Sequence, residues 1–301
     1  MKKRPTVSII TVNYKQAEVS NQLLASLQKL TWPELEIIVV DNNSGKDETD
    51  KIETRYANTR LIRNQENLGF AGGNNVGIKA STGEYVLLLN NDTEVGPGFI
   101  EPMVELLEQD PRIGAVSPKI KFYDQPEIIQ YAGFTPMNPY TLRMRALGNR
   151  EHDRGQHDRC GETSFAHGCA MMVPRRVIQR VGLMPEEYFL YYEEHDWSSA
   201  MRSLGYKIYY QPRSEVYHKE SVSVKKNSVL KTYYVNRNRI LYMRRNHPLL
   251  QRTVASAYLL LISLPKNVTA FLLRGEMKHL SAYFKAMVWN LVNPSRHGSI
   301  Q

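Results

Sequence analysis

The sequence predicts an α/β fold with a mostly parallel central sheet, followed by a helical C-terminal extension. The first 120 residues alternate short, continuous apolar runs with segments of helical periodicity. Strands that are apolar on both faces are typical of parallel sheets covered by helices on each side. Residues 227–292 read instead as consecutive helices. With 301 residues, 42% of them hydrophobic, the chain is long and apolar enough to bury a core.

The predicted elements follow one another in a regular order. Strands are expected at 7–12, 35–40, 59–63 and 85–89, and helices at 17–27, 46–56 and 70–80. Residues 138–164 are polar and lack periodicity, which predicts a long loop that is either a mobile flap or disordered. A helix beginning near residue 193 and strands at 207–211 and 216–218 complete a domain of residues 1–220. We divide this domain into a first part of about residues 1–120 and a second part of about 121–220.

Residues 221–301 form a basic, amphipathic helical region. They contain 13 of the 39 Lys and Arg residues but one of the 30 acidic residues, Glu276. Two apolar runs, 255–264 and 268–273, are interrupted around Pro265, and neither reaches the roughly 20 residues that cross a bilayer. We expect a helical hairpin lying on an anionic membrane surface. The alternative is that the apolar residues pack these helices against the rest of the protein.

The remaining bulk features concern partners and location. No nucleic-acid-binding motif accompanies the net charge of +9, so nucleic acid is not an expected partner. Cys160 and Cys169 are too few for a disulfide framework and read as reduced thiols. The basic N-terminus is followed by an apolar run of strand length only, which does not fit a signal peptide. These features predict a cytoplasmic protein, peripherally associated with the inner face of the cell membrane.

Polar residues follow three predicted strands at the end where the loops of a parallel sheet bind ligands. Asn13 and Tyr14 follow the first strand, Asp41 the second, and the segment 90–92 (Asn-Asn-Asp) the fourth. A carboxylate at a strand end either caps the next turn or accepts hydrogen bonds from a ligand, and both interpretations stay open for Asp41. Asp92 is placed to supply one carboxylate to Mg²⁺ or Mn²⁺, which prefer carboxylate and phosphate oxygens.

A glycine-rich turn, NLGFAGGNN at residues 67–75, precedes the third predicted helix. It matches neither the dinucleotide-binding fingerprint nor the Walker loop. Small residues at such a turn let backbone amides approach a phosphate or ribose closely. The turn therefore gives four candidate nucleotide-binding residues: Asn67, Gly69, Gly73 and Asn74.

Three acids, Glu193, Glu194 and Asp196, cluster at the start of a predicted helix. One interpretation is that they compensate the helix dipole, as acids in a first turn commonly do. The aromatic residues around them, which include Tyr188 and Trp197, suggest a cleft instead. Acids crowded into a cleft would raise one another's pKa, as a general base requires.

These segments together resemble the family 2 glycosyltransferases, especially the bacterial rhamnosyltransferase-like branch. The resemblance covers residues 6 to about 245, and its blocks occur in the family's order. They are VSIITVNY, IIVVDNNS, NLGFAGGNNVG, STGEYVLLLNNDT, HGCAMMV, YYEEHDW, LGYKIYYQP and VYH. The resemblance implies the GT-A fold, with a nucleotide-binding part at about 1–120 and an acceptor-binding part at about 121–220.

The resemblance also assigns roles to individual residues. Asp41 would read a pyrimidine base, with Thr11, Asn13 and Tyr14 in the same pocket and Asn91 nearby. Asp92 occupies the last position of the metal-binding DxD motif, whose first position is Asn90 here. His218 matches a histidine that contacts the metal or the diphosphate. Glu194 stands where the family has its general base, and Glu193 and Asp196 remain competitors.

The implied reaction is an inverting, divalent-cation-dependent transfer of one sugar in bacterial cell-surface polysaccharide synthesis. The favoured donor is dTDP-rhamnose, with UDP-sugars next, and the acceptor is a glycan or a lipid-linked oligosaccharide. Two other interpretations remain. A sugar-phosphate nucleotidyltransferase would carry a basic, glycine-rich loop after the first strand, where this chain has TVNYKQAEVS. A catalytically impaired carbohydrate-binding or membrane-scaffolding protein would tolerate Asn90 in the metal motif.

Overall fold

The computed structural model of the protein describes residues 4–52, 54, 59–219 and 228–293. The chain divides into two compact units. The first unit comprises Met1–Thr135, Ala146–Phe189 and Glu193–Ser223. The second comprises Pro136–Arg145, Leu190–Tyr192 and Val224–Gln301, so two short upstream segments group with the C-terminal helices. The predicted boundary between residues 220 and 221 lies outside the described residues.

The first unit is built on one ten-stranded sheet. Its strands are β1 Val7–Asn13, β2 Leu35–Asp41, β3 Thr59–Arg63, β4 Tyr85–Leu89, β5 Thr93–Val95, β6 Ile113–Phe122, β7 Gln125–Tyr131, β8 Gly161–Thr163, β9 Ala170–Pro174 and β10 Lys207–His218. The main path runs β3-β2-β1-β4-β9-β6-β10-β5, with β7 paired to β6 and β8 to β10.

The sheet is mixed, although its first four strands are all parallel as predicted. Strand β9 is antiparallel to both β4 and β6, and β5, β7 and β8 also pair in antiparallel fashion. The predicted α/β class with C-terminal helices is confirmed, but the sheet is less parallel than expected. The difference arises because β9 is inserted in antiparallel orientation between β4 and β6, and because the short strands β5, β7 and β8 also pair in antiparallel fashion.

Apolar side chains of the strands alternate between two cores, one on each face of the sheet. Ile9, Val39 and Leu87 belong to one core, and Ile10 and Val40 to the other. Both faces are covered by helices: α1 Ala17–Leu27, α2 Lys46–Thr49, α3 Gly69–Ala80, α4 Glu101–Gln109, α5 Arg175–Val181 and α6 Glu193–Ser203. Strands buried on both sides explain why the apolar runs in the sequence are continuous.

The polar segment that was expected to be a loop consists of turns and irregular backbone up to residue 160, ends in β8, and is held by ion pairs. Lys119 is 2% exposed, and its ammonium lies 3.0 Å from Asp153 and also contacts Asp158. Lys121 pairs with the same Asp153 carboxylate at 3.0 Å. The two lysines hold the pKa of Asp153 at about 2 despite its partial burial, which alone would raise it. The ion pairs hold these two acids of the segment against β6; the predicted mobility of the loop stays a prediction.

The second unit contains helices α7 Val229–Asn246, α8 Leu249–Tyr258, α9 Leu264–Leu273 and α10 Met277–Val292. Its small core joins Leu142 to Met243, Ala255 and Leu259. A π-helical turn, Leu259–Ser263, connects α8 to α9 without a break. Pro265 therefore sits in the first turn of α9, where its missing N–H and its ring are tolerated beside the wider turn.

Residues 249–273 thus form one helix, which corrects the predicted hairpin. Over its most apolar 18 residues the mean hydropathy is 1.4 and 11% of that window is buried. Within the described part of the chain, this helix alone has the length and composition to cross a membrane.

Candidate functional site

Asp41, at the end of β2, is the centre of a buried hydrogen-bond network. It is 2% exposed, and its Oδ1 accepts from Asn13 Nδ2 at 2.8 Å. Its Oδ2 accepts from the Ser44 amide at 3.0 Å and the Thr49 hydroxyl at 2.7 Å. Burial opposes ionisation of Asp41, but the hydrogen bonds from Ser44, Thr49 and Asn13 outweigh it and lower the pKa. Asp41 is therefore a carboxylate that orders the turns after β1 and β2.

Ser20, on α1, connects this network to the segment that carries Asp92. Its hydroxyl donates to Asn13 Oδ1 at 2.9 Å and accepts from Asn91 Nδ2 at 3.1 Å. The hydrogen bonds therefore run without interruption from Asp41 through Asn13 and Ser20 to Asn91. Sequence reasoning missed Ser20, because a single serine in an amphipathic helix has no signature.

The residues predicted to line the base pocket differ in exposure. Thr11 and Asn13 have no exposed surface, whereas Tyr14 is 38% exposed. Lys15 has a left-handed backbone with φ of 56°. Its Nζ lies 5.2 Å from the centroid of the Tyr14 ring. Thr11 and Asn13 are therefore buried parts of this end of β1, and Tyr14 is the residue of the three that a ligand can reach.

The glycine-rich segment is helical from Gly69 rather than a turn, and its predicted nucleotide-binding role stays a prediction. Helix α3 begins at Gly69, and a Cβ at Gly73 would lie 2.8 Å from Val12 Cγ1. The glycines therefore let α3 approach the sheet closely. The amides at the helix start are already used: Gly69 N–H donates to Asn67 Oδ1 and Phe70 N–H to the Phe189 carbonyl. Asn74 donates to the carbonyl of Phe70. The structure thus gives Asn67, Gly69, Gly73 and Asn74 packing and capping roles.

Asp92 and His218 face one another across the ends of β4 and β10. Both are buried, and His218 Nε2 lies 3.2 Å from Asp92 Oδ1. The other ring nitrogen, Nδ1, is 2.8 Å from Gln130 Oε1 and therefore donates to it. Burial opposes a charge on His218, but the Cys169 sulfur and the Asp92 carboxylate outweigh it and raise its pKa well above the usual range. The protonated, positively charged form of the His218 ring is thus favoured beside the Asp92 carboxylate.

Asn90 is half-buried directly after β4. Its backbone N–H donates to the Cys169 carbonyl at 2.8 Å, and its own carbonyl accepts from the Thr93 hydroxyl at 2.6 Å. These bonds fix the backbone of the motif, so that Asp92 is presented at the sheet edge. Among the residues that the structure describes, no group of three or more His, Cys, Asp or Glu side chains is arranged around a metal position.

Glu194 is the most accessible of the three candidate bases. Its side chain is 15% exposed, whereas Glu193 and Asp196 are 3% and 5% exposed as residues. Its Oε1 lies 3.0 Å from His195 Nδ1. The backbone of Gly168 runs alongside, since a Cβ there would lie 3.6 Å from Glu194 Cδ. Ser198, which accepts from the Ala166 amide at 3.1 Å, ties α6 to this backbone.

The electrostatics of the acid cluster correct one expectation. Burial raises the pKa of Glu194, but the His195 ring and a backbone amide outweigh burial, so the pKa is lowered. The acids were expected to raise one another's pKa, whereas the neighbouring His195 ring lowers the pKa of Glu194. Tyr188 and Trp197, with 0% and 1% exposure, belong to the core rather than to the wall of a cleft.

Three residues before α6 adopt left-handed backbone conformations, and sequence reasoning did not find what holds them. Phe189, Tyr191 and Tyr192 have φ of 63°, 69° and 77°, which costs energy for residues with large side chains. In the second unit, Asn238 Nδ2 donates to the carbonyls of Leu190 and Tyr191, both at 2.7 Å. Asn238 has no exposed surface, so these bonds are shielded from water. Asn238 fixes the segment that leads directly into Glu193.

The chain is similar to known glycosyltransferases. The sequence model of Glycosyl transferase family 2 matches residues 8–182. N-acetylglucosaminyl-diphospho-decaprenol L-rhamnosyltransferase of Mycobacterium tuberculosis is 26% identical over 71% of this chain and 76% of its own length. The low-salt glycan biosynthesis hexosyltransferase Agl10 of Haloferax volcanii is 28% identical over 78% of this chain and 74% of its own.

Solved structures give the same fold. GalNAc-T7, determined with UDP, GalNAc and Mn²⁺, superposes with a TM-score of 0.61 at 17% identity over 74% of this chain and 45% of that chain. The mannosyltransferase PcManGT of Pyrobaculum calidifontis, in complex with GDP-Man and Mn²⁺, superposes with a TM-score of 0.60 at 17% identity over 98% of this chain and 89% of that chain. The predicted GT-A fold is confirmed.

Proposed function

The chain belongs to glycosyl transferase family 2 and is a glycosyltransferase, and we propose that it moves one sugar from a nucleotide donor with inversion at the anomeric carbon. The observation that carries the proposal is the Glu194 side chain, which is 15% exposed, has a lowered pKa and lies beside the backbone of Gly168. A buried pair, Asp92 and His218, stands at the edge of the same sheet. The family match leaves the nucleotidyltransferase interpretation without support.

Glu194 acts as the general base in this proposal. It takes the proton from an acceptor hydroxyl as that oxygen attacks the anomeric carbon. The new glycosidic C–O bond forms while the bond between the anomeric carbon and the nucleoside diphosphate breaks, and the diphosphate leaves with the bonding electrons. His195, 3.0 Å from Oε1, orients the carboxylate and favours its ionised form before the proton arrives.

The residues present fit a divalent cation, although two protein ligands are fewer than a closed metal site has. Asp92 Oδ1 is buried and accepts no hydrogen bond from a described residue, and His218 Nε2 points at it. Since Nδ1 of His218 donates to Gln130, Nε2 is the nitrogen that would bind a metal, after giving up the proton that it shares with Asp92 in the absence of the ion. Asp92 and His218 would hold Mg²⁺ or Mn²⁺, with Asn90 beside them, and the ion would offset the charge of the diphosphate.

The donor we propose is dTDP-rhamnose, with UDP-sugars next, and the acceptor is a glycan or a lipid-linked oligosaccharide of bacterial cell-surface polysaccharide synthesis. The similarity to the mycobacterial rhamnosyltransferase supports the sugar and the acceptor class. Tyr14 gives an exposed aromatic face for a base at the end of β1. Asp41 and Asn13 are buried at the ends of β2 and β1 and are ordered by their hydrogen bonds, with Asn91 linked to them through Ser20.

A donor panel tests this function. Release of nucleoside diphosphate from dTDP-rhamnose, UDP-sugars and GDP-mannose should be measured with Mn²⁺ and no acceptor, together with the thermal shift given by each nucleotide. We expect a pyrimidine donor to be hydrolysed and Asp41→Asn to weaken its binding. The matched control is Asp47→Asn, an exposed acid on α2. Hydrolysis of no donor under any condition would favour the catalytically impaired carbohydrate-binding or scaffolding protein.

We also propose that the second unit binds an anionic membrane from the cytoplasmic side. The helix at 249–273 and the neighbouring α10 expose large apolar side chains that the core of their unit does not use. Leu261, Leu273 and Leu291 are 76%, 83% and 81% exposed. Lys266, Arg274 and several other exposed bases accompany them. Apolar side chains beside bases are what an anionic leaflet takes up, and such a surface would keep the enzyme near a lipid-linked acceptor.

Replacing Leu261 and Leu273 together by serine should lower partitioning onto anionic liposomes at least tenfold, since each leucine loses its transfer into lipid. The measurement is co-sedimentation of the full chain with vesicles with and without anionic lipid, at low and high salt. Leu147→Ser, at a leucine 42% exposed in the first unit, is the matched control. Equal binding of all three proteins, or indifference to lipid charge, would contradict the proposal. Resistance of the bound protein to alkaline extraction would show that the helix crosses the bilayer instead.

A further inference from the structure

Five aromatic rings cluster beside the Glu194 carboxylate, and the function proposed above gives none of them a ligand. They are Tyr131, Phe134, Phe165, His167 and His195. The Phe134 ring centroid lies 5.6 Å from that of His167 and 5.6 Å from that of His195. Phe134 therefore sits between the histidine next to Gly168 and the histidine next to the base.

Three of the five rings are buried, and two keep exposed surface. Tyr131, Phe165 and His195 are 0%, 3% and 7% exposed, whereas Phe134 and His167 are half-buried. The planes of Phe134 and His167 differ by 2°. Three buried rings thus support two nearly parallel rings that keep exposed surface.

The tautomer of His167 is fixed by the backbone. The Cys169 amide donates to Nδ1 at 3.1 Å, so the neutral ring carries its proton on Nε2. Burial and the nearby His218 lower the pKa of His167 to about 3, and the ring is neutral at physiological pH. Within the described residues, the Nε2–H reaches no hydrogen-bond acceptor. A donor of fixed direction is therefore left for a ligand.

We propose that Phe134 and His167 form the platform on which a pyranose ring of the acceptor lies, with the Nε2–H of His167 donating to one of its hydroxyl groups. A pyranose has C–H groups on its faces, which suit the negative face of an aromatic ring, and hydroxyl groups at its rim. A lipid chain would leave the Nε2–H without a partner, and an extended peptide has no flat apolar face of this size.

The position of the platform assigns it to the acceptor rather than to the donor. The backbone of Gly168, next to His167, lies against the carboxylate that takes the acceptor's proton. The candidate pocket for the nucleobase of the donor, at Tyr14 and Asp41, instead lies at the ends of β1 and β2. The inference rests on the proposed function, since Glu194 is the base only if the chain transfers sugars.

The test compares transfer with hydrolysis in the full-length protein. The acceptor probes are methyl glycosides of N-acetylglucosamine, glucose and galactose, with glycerol as a hydroxyl donor without a ring. In Phe134→Leu, which keeps apolar volume but removes the flat face, the KM for the methyl glycoside should rise about threefold to tenfold. The ratio of transfer to the variant's own donor hydrolysis should fall by the same factor. Phe134→Tyr should restore both values.

His167→Phe keeps a ring beside Phe134 but has no N–H, and we expect a loss of about tenfold in the same ratio. Tyr140→Leu, at an aromatic residue 45% exposed in the second unit, is the control that should resemble the wild type. The platform does not bind an acceptor pyranose if the donor KM rises in step with the acceptor KM. The same conclusion follows if the ratio of transfer to hydrolysis falls equally for glycerol and for the methyl glycosides.

A binding measurement separates this inference from the proposed function. Ligand-detected NMR of the methyl glycosides, without donor, should show contact with the wild type and Phe134→Tyr that is weakened in Phe134→Leu and His167→Phe. Contact of this pattern in a protein that hydrolyses no donor would support the platform while contradicting the function. Transfer that is equal in all variants would support the function and overturn the platform.

Discussion

Replacing Glu194 with glutamine is expected to lower the turnover number about 100-fold or more, because the amide keeps the shape of the side chain but cannot accept a proton. Donor affinity should change little, since Glu194 is not among the residues around Asp41. The measurement is kcat for transfer to a methyl glycoside, with donor KM determined in parallel. Glu187→Gln, at an exposed glutamate before α6, is the matched control.

The pH dependence gives an independent check on the same residue. The carboxylate of Glu194 is the active form, and the His195 ring and neighbouring groups hold its pKa below the usual value against the effect of burial. Turnover of the wild type should therefore stay level as pH falls towards the usual pKa of a glutamate and decline only below it. If Glu194→Gln is active and Asp196→Asn is not, the base is Asp196; the same comparison with Glu193→Gln tests the third candidate.

The elements of the first half of the sheet could be predicted because burial on both faces leaves a local signal. Helix α1 and strands β2, β3 and β4 begin and end within one residue of the expected positions. Continuous apolar runs bounded by polar residues are enough to locate such strands. The ends of β1, β2 and β4 could then be placed together, because parallel neighbours have the same orientation.

Features that depend on distant partners could not be predicted. Glycines at 69 and 73 suit a phosphate loop as well as close packing, and the choice is made by Val12 and Phe189, far away in sequence. The ion pairs of Asp153 could not be read from the sequence either, because its partners, Lys119 and Lys121, are on β6.

Two strands were expected at 207–211 and 216–218, but β10 is continuous, with a register shift between Gln211 and Glu215. His167 was inside a recognised motif, yet its role depends on rings that the sequence does not bring together.

The metal site gives the second large effect. Asp92→Asn should abolish detectable transfer. The neutral amide removes the negative charge that would bind the divalent cation, and several kcal/mol of charge stabilisation by the ion are lost with it. The fold should persist, because the backbone carbonyl of Asp92 still accepts from the Lys219 amide at 2.8 Å. Asp124→Asn, at an exposed acid between β6 and β7, is the control. Melting temperature, Mn²⁺ affinity by calorimetry and transfer rate should be measured on each protein.

A substitution at Asn90 complements this test, because it should strengthen metal binding, whereas Asp92→Asn should weaken it. Asn90→Asp adds a second carboxylate at the fixed backbone position that follows β4, and electrostatic attraction should then tighten Mn²⁺ binding. The wild type should lose transfer in excess EDTA and regain it with Mn²⁺ or Mg²⁺, and Asn90→Asp should need less of either ion. Full activity of the wild type in EDTA, or of Asp92→Asn in any buffer, would remove the metal from the reaction. His218 and Asp92 would then be a buried ion pair that only stabilises the sheet edge.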